Sequence, residues 1–263
     1  MSLQPLIKWS GGKRDELKHF SKYIPTDYTT YIEPFVGGGA VYFHLNPERA
    51  VISDVHSGLV ALYKTIQNDE GEKLYEFMNT HPNTEETYYE VRDGMQPTNQ
   101  LEMACKFYYE RKTCYRGMLR YNKKGKFNIP FGRYKSVNYE DLRDTRYTEL
   151  LKRTTVLNDD FEDVFKAYNS PDNFVFLDPP YDSVFTDYGY CKFARDHHMR
   201  LAECFKTTKN RCMMIIGKTD FICELYDGYI VGEFDKKYAF KLHSGRVGNE
   251  INTKHLIILN YSI

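Results

Sequence analysis

Asp178-Pro179-Pro180-Tyr181 directly follows a short apolar run, Phe174 to Leu177, which predicts a buried strand. An acid, two prolines and an aromatic ring are therefore expected at a strand's carboxyl end. In open α/β sheets that edge is where ligands bind. Proline fixes the backbone and carries no N–H, so its carbonyl can point outward as an acceptor. A carboxylate, a carbonyl and a flat ring in succession suit a planar base bearing an amino group. Asp178 and the Pro179 carbonyl would accept from its two N–H groups, and Tyr181 would stack on its face. Pro180 completes the element. The eight histidines show no triad or zincin spacing, and there is no Gly-x-Ser-x-Gly elbow. The cysteines (105, 114, 191, 204, 212 and 223) form no C-x-x-C pair, which predicts free thiols, a reducing compartment and no metal site.

Those groups need a scaffold. A strand over Thr30 to Glu33 is followed by Phe35-Val36-Gly37-Gly38-Gly39, a helix over Ala40 to Leu45, and a strand over Ala50 to Ser53 that ends at Asp54. This strand–glycine loop–helix–strand–acid order opens a doubly wound α/β domain. Glycine tolerates positive φ and lets a ligand approach the backbone. The loop lacks the spacing of a phosphate-cradling P-loop and departs from the strict dinucleotide fingerprint. Asp54, at the end of the next strand, can accept from two ribose hydroxyls. A nucleoside cofactor that needs no phosphate cradle fits this pattern, and S-adenosylmethionine is one. Upstream, Lys8-Trp9-Ser10-Gly11-Gly12-Lys13 opens a segment, Leu6 to Tyr23, expected to continue as a helix. Trp9 and Lys13 would cover the amino-acid end of the cofactor, with Lys13 facing its carboxylate.

From about His56 to Tyr109 the pattern turns helical, and then the charge changes. Residues 111 to 135 hold nine Lys or Arg and no Asp or Glu, in a chain whose formal net charge is zero. Tyr115, Tyr121, Phe127, Phe131 and Tyr134 interleave with them. A solvated face usually mixes signs; one sign with aromatics points to nucleic acid. Asn122-Lys123-Lys124-Gly125-Lys126 reads as a hairpin turn suited to entering a groove. The α/β pattern resumes with strands over Thr154 to Leu157 and Cys212 to Ile216, a helix over Ala194 to Thr207, and two last strands, Gly232 to Leu242 and His255 to Tyr261. These flank a polar loop, Ser244 to Asn252. No apolar run approaches the ~18 residues of a membrane span, so a soluble, intracellular, cytoplasmic protein is expected.

Taken together, these motifs make the chain resemble the Dam family of DNA adenine methyltransferases, which use S-adenosylmethionine. The resemblance runs from Lys8 to Tyr261 in the family's motif order. Its sharpest part is Gly117-Met118-Leu119-Arg120-Tyr121-Asn122 followed by Phe127 to Lys135, which is similar to the family's DNA-reading hairpin. The resemblance implies a Rossmann-like, mostly parallel sheet with a C-terminal antiparallel strand pair. Residues 1–56 and 152–263 would form the catalytic domain, and 57–151 an inserted helical domain carrying the hairpin. It implies that Trp9, Lys13, Phe35, Gly37, Gly39, Asp54, Asp160, Phe161 and Asp178 bind the cofactor, Asp160 and Phe161 holding its adenine. Lys8, Arg116, Met118, Arg120, Asn122, Pro130 and Arg133 would meet double-stranded DNA, several of them near the bases of a GATC site. Arg116 departs from the family pattern, which commonly has Asn there. A monomer is expected, since the reaction modifies one strand at a time. Two rival readings are methylation of the cytosine amino group, where Ser more often precedes the prolines, and a catalytically silent DNA-binding protein of the same fold.

Overall fold

The short apolar runs become the centre of a seven-stranded sheet. A computed structural model describes residues 2–182, 193–237 and 252–263. The strands are β1 (Thr30–Glu33), β2 (Ala50–Ser53), β3 (Thr154–Leu157), β4 (Asn173–Leu177), β5 (Arg211–Gly217), β6 (Ile230–Lys237) and β7 (Asn252–Leu259). Their order is β3-β2-β1-β4-β5-β7-β6. The strands β1 to β5 run parallel, and β7 pairs antiparallel with both β5 and β6. This is the mostly parallel sheet with a C-terminal antiparallel pair that the sequence predicted. Residues 244–251 of the polar loop, the end of the strand expected to reach Leu242, and Cys191 lie outside the described residues.

Burial on both faces explains why the central strands read as continuous apolar runs. Along β4, Phe174 and Phe176 face one core and Val175 and Leu177 the other; Met213 and Met214 divide the same way on β5. Among the described residues ten helices pack around the sheet: α1 (Leu17–Phe20), α2 (Ala40–Leu45), α3 (Ser57–Gln67), α4 (Gly71–Thr80), α5 (Glu85–Tyr89), α6 (Gln100–Thr113), α7 (Thr145–Lys152), α8 (Phe161–Ala167), α9 (Arg195–Thr207) and α10 (Asp220–Leu225). One core joins Tyr31, Ile52 and Phe176 of the sheet to Leu59 and Tyr63 of α3, Tyr108 of α6 and Leu151 of α7. The other holds Val164 of α8, Leu201 of α9 and Ile222 of α10. Caps start several helices: Asn99, Asp144, Asp160 and Thr219 each accept a backbone N–H two or three residues on.

The expected helix over Leu6 to Tyr23 is broken. Only a 3-10 turn at Arg14–Glu16, the four-residue α1 and a second 3-10 turn at Ser21–Tyr23 form. Gly11 sits at φ +80, and the Lys13 ammonium turns back onto the Gly11 carbonyl at 2.5 Å. The geometry that aims Lys13 inward keeps helical dihedrals from starting before Arg14.

Candidate active site

Lys13 and Asp178 meet across 165 residues of sequence at the carboxyl edge of β4. The ammonium lies 2.7 Å from Oδ1 and 2.8 Å from Oδ2 of Asp178, with Lys13 2% and Asp178 20% exposed. Burial raises the Asp178 pKa above its ordinary value, and Lys13 opposes that rise through its charge and hydrogen bond. The pair is backed by a second acid. Glu16 sits 2.6 Å from the Lys236 ammonium and 2.7 Å from His255 Nδ1. Burial works against the Glu16 carboxylate, but His255, Lys13 and Lys236 outweigh it and hold its pKa at about 2. Tyr181 lies across the end of β5, where a Cβ added at Gly217 would stand 3.2 Å from its ring. The Lys13 ammonium is 5.1 Å from that ring's centroid, and the His255 ring meets it edge-on at 5.1 Å.

The glycine loop and the Trp9 indole form one surface. A Cβ at Gly37 (φ +47) would come within 2.6 Å of the indole, and one at Gly38 within 2.8 Å of the Trp9 Cβ. Gly39, at φ +68, leads into α2. Side chains at Gly37 and Gly38 would displace Trp9, and one at Gly39 would run into the Phe43 ring, which is the physical reason for the consecutive glycines. Asp54 is buried beyond β2 and accepts from the Gly37 N–H at 3.0 Å and the His56 N–H at 2.9 Å. Burial pushes its pKa up to about 6 against those two bonds. Phe35 and Phe161 lie 5.5 Å apart, each near Phe193 at 5.7 and 6.0 Å. Asp160 caps α8 and pairs with Arg200 at 2.9 Å. Phe35 and Gly37 follow β1, Asp54 follows β2, Phe161 follows β3 and Asp178 follows β4, all at the carboxyl ends of parallel strands, with Trp9 packed on Gly37 and Lys13 on Asp178.

The basic segment forms the expected turn, but as bridges rather than a ladder. Tyr121 pairs with Phe127, and Cys114 with Phe131. The Asn122 side chain accepts from the Lys124 and Lys126 N–H groups at 2.9 and 3.1 Å, and Gly125 takes φ +69. Asn122 therefore shapes the turn. Arg120 crosses to the opposite strand, its Nε donating to Asn128 Oδ1 at 2.8 Å. Arg133 pairs with Glu85 at 2.9 Å. Arg116, at φ +57, lies exposed with its guanidinium 5.2 Å from the Tyr115 ring centroid. Lys8 is drawn to the base of the hairpin: its backbone carbonyl accepts from buried Arg111, and a Cβ at Gly117 would touch its side chain at 3.3 Å. Pro130 is exposed, and its carbonyl accepts from Tyr115 at 2.8 Å. A cavity of about 500 Å³ lies beside this junction, walled by Lys8, Arg14, Arg111 and Lys112 without a carboxylate.

Gly132 makes the return strand possible. A Cβ there would stand 2.7 Å from the Thr113 and Cys114 carbonyl oxygens, and these are backbone atoms that cannot rotate away. Gly132→Ala is expected to cost about 1–3 kcal/mol of stability by overpacking, read as a lower urea midpoint; an unchanged midpoint would refute this account of Gly132.

Comparison with known proteins agrees with this geometry. Residues 9–240 match the family model described as D12 class N6 adenine-specific DNA methyltransferase. The type II methyltransferase M.CviBI of Paramecium bursaria Chlorella virus NC1A is 59% identical over 261 residues, covering 98% of this chain and 100% of the relative. The type II methyltransferase M.MjaIII of Methanocaldococcus jannaschii is 32% identical, covering 99% and 100%. A DNA adenine methylase of Haemophilus influenzae is 28% identical, covering 86% and 83%. The chain belongs to the D12 class of N6 adenine-specific DNA methyltransferases. It is an adenine-specific DNA methyltransferase, and the fold above is that of a Rossmann-like methyltransferase.

Several residues packed around this candidate site carried weak signals or none in the sequence. Glu33, at the end of β1, is buried and accepts from the Tyr31 hydroxyl at 2.7 Å. Burial raises its pKa well above the usual range; the Tyr31 bond works against that, and the nearby Asp178 charge adds to it. An acid closing a buried strand just before Pro34 was a visible signal. His255 and Glu16 gave none, because 239 residues separate them. Arg111 lay inside the basic run, yet it is buried with its guanidinium 5.5 Å from the Trp9 ring centroid. It braces the Lys8–Trp9 element instead of facing solvent.

Proposed function

We propose that this D12-class enzyme methylates the exocyclic amino nitrogen of adenine in duplex DNA, at a short site, after extruding the base from the stack. The observation that carries the reading is the pair of buried Lys13 and half-buried Asp178 at the sheet edge, beside Tyr181 and bonded through neighbouring residues to a basic hairpin. Extrusion costs a few kcal/mol, and Tyr181 recovers part of it by stacking on the flipped ring. Asp178 Oδ and the Pro179 carbonyl accept from the two amino hydrogens and localise the nitrogen lone pair. The carboxylate also stabilises the positive charge that develops on that nitrogen.

The residues present fit S-adenosylmethionine, the cofactor that this class implies. Its amino-acid end is a zwitterion, and Lys13 and Asp178 offer a cation and an anion side by side. Each Asp54 oxygen takes one backbone N–H, which leaves lone pairs for ribose hydroxyls. Phe35 and Phe161 offer apolar faces for an adenine, with Asp160 at its edge. Gly39 shapes the loop below. When bound, the cofactor supplies an electrophilic methyl on a sulfonium; positioning it against the amino nitrogen is the protein's part.

Lys8, Met118 and Pro130 at the hairpin base, with Arg120 beyond them, support reading of base edges, and Arg133 and the other cations support phosphate contact. Asn122 holds the turn that presents them. The hairpin match supports GATC as the first candidate site, and Arg116 marks the position where preference would depart from it. The catalytic residues belong to 1–56 and 152–263, and the DNA-reading residues, apart from Lys8, to the insert at 57–151. One active site per target adenine suits a monomer. Unmethylated plasmid treated with the protein and S-adenosylmethionine, then mapped by long-read sequencing, is expected to carry N6-methyladenine at one short motif. Methylcytosine, or no modified base from protein that binds cofactor, would overturn the reading.

Asp54 gives this proposal a pH signature. Ribose hydroxyls donate to the ionised carboxylate, and its pKa is about 6. Cofactor affinity is expected to fall as pH drops through about 6, by at most about tenfold per pH unit for one coupled proton. Asp54→Asn should bind more weakly and lose that limb; calorimetry from pH 5 to 8, with an unchanged limb in the variant, would remove Asp54 from the ribose. The effect on folding has the opposite sign. Asp54 takes its proton more readily folded than unfolded, so its stabilisation is full below its ordinary value of 3.8 and is lost as pH rises through about 6.

A further inference from the structure

One buried residue touches both the cofactor crevice and the hairpin. His56 follows β2 by three positions, and its backbone N–H donates to Asp54 Oδ1 at 2.9 Å. Its ring caps α3, with Nδ1 accepting from the Leu59 N–H at 3.2 Å. An Nδ1 that accepts leaves the proton on Nε2, so His56 donates through Nε2 to the Tyr121 hydroxyl at 2.7 Å. Burial, and then the Arg111 charge, lower the His56 pKa to about 4, consistent with this neutral tautomer. The ring has little room to turn. It meets Trp9 edge-on at 5.9 Å and Phe107 at 4.9 Å, and a Cβ at Gly58 would stand 3.2 Å from it.

Tyr121 lies in the hairpin between Arg120 and Asn122 and forms the bridge with Phe127. A two-stranded hairpin is marginal in water by itself, so its placement depends on what anchors it. The tie from His56 to Tyr121 ends at the same carboxylate that lies in the cofactor crevice. The helix cap uses Nδ1 alone; capping does not account for the Nε2 bond.

We propose that His56 is a positioning residue that couples cofactor occupancy at Asp54 to the placement of the DNA-reading hairpin through its hydrogen bond to Tyr121. The inference rests on the reading of Asp54 as the ribose acid and of the hairpin as the DNA reader. Coupling of this kind is reciprocal: cofactor tightens DNA binding by the factor by which DNA tightens cofactor binding.

The intact protein provides the test. A short duplex carrying the mapped motif would be titrated by fluorescence anisotropy with and without S-adenosylhomocysteine, and S-adenosylhomocysteine by calorimetry with and without the duplex. Wild type is expected to show a coupling factor of about 5 or more in both directions. Tyr121→Phe removes only the hydroxyl. His56→Asn keeps an N-capping oxygen for α3 but is too short to reach Tyr121. Both variants should bring the factor close to 1, while S-adenosylhomocysteine affinity without DNA stays within about twofold. A purely structural role for His56 would lower stability without changing the factor, and that result overturns the inference. So does a wild type that methylates normally yet shows no coupling. A wild type that neither binds nor methylates DNA overturns the underlying reading as well.

Discussion

Asp178→Ala is expected to lower the rate of methyl transfer by about 10²–10³-fold or more, the scale on which removal of a preorganised electrostatic group acts. On the reading proposed above, the carboxylate accepts from the target amino group and sits opposite the charge forming on it. Its loss has a second consequence. Lys13 is 2% exposed and pairs with both Asp178 oxygens, so the Ala variant leaves a buried ammonium without its acid. Breaking a buried pair from one side is strongly destabilising, by about 3–5 kcal/mol. Asp178→Asn removes the charge but keeps the shape and a neutral oxygen that can still accept from the Lys13 ammonium, so it should be less destabilised than the Ala variant while losing the same electrostatic contribution to the rate. Both variants should retain most DNA affinity, because the hairpin and its cations are untouched. Tritium transfer from labelled cofactor gives the rate, and anisotropy gives the affinity. A folded Asn variant with near-normal turnover would refute the electrostatic role.

Arg120→Ala is expected to lose about 1–3 kcal/mol of discrimination at one base pair, roughly a 5- to 160-fold relaxation there. Asn128 presets the guanidinium, accepting from Nε at 2.8 Å through its side chain and from Nη2 at 3.3 Å through its backbone. Among the described residues Nη1 has no partner, so donors remain for a base edge. An arginine that bound phosphate alone would weaken all sequences alike and shallow the salt dependence by about one counterion. Methylation rates on duplexes substituted one pair at a time distinguish the two. Uniform weakening across all duplexes would remove Arg120 from base reading.

The elements of this protein were legible wherever local composition decides structure. The ranges of β1, α2, β2 and β3 were read from short apolar runs, and α9 was placed to within one residue. The reason is that buried strand positions favour apolar, aromatic or β-branched side chains, and the turns after them carry glycine, proline or acid. Because the first five strands run parallel, their carboxyl ends share one edge, so the motifs that follow β1, β2 and β4 were bound to converge. The sheet's direction thus placed Gly37, Asp54 and Asp178 together before any side-chain contact was known.

What only the tertiary structure decided were the partnerships. Lys13 belonged to an expected helix, and the fold broke that helix to turn its ammonium onto Asp178. His255 reaches Glu16, and His56 reaches Tyr121, across separations that no periodicity encodes. Arg111 counted as one more cation until packing buried it behind Trp9. Local pattern reports whether a residue prefers water or the core. Which buried charge meets which partner is set by the long-range docking of strands and helices, where an unpaired charge would cost several kcal/mol.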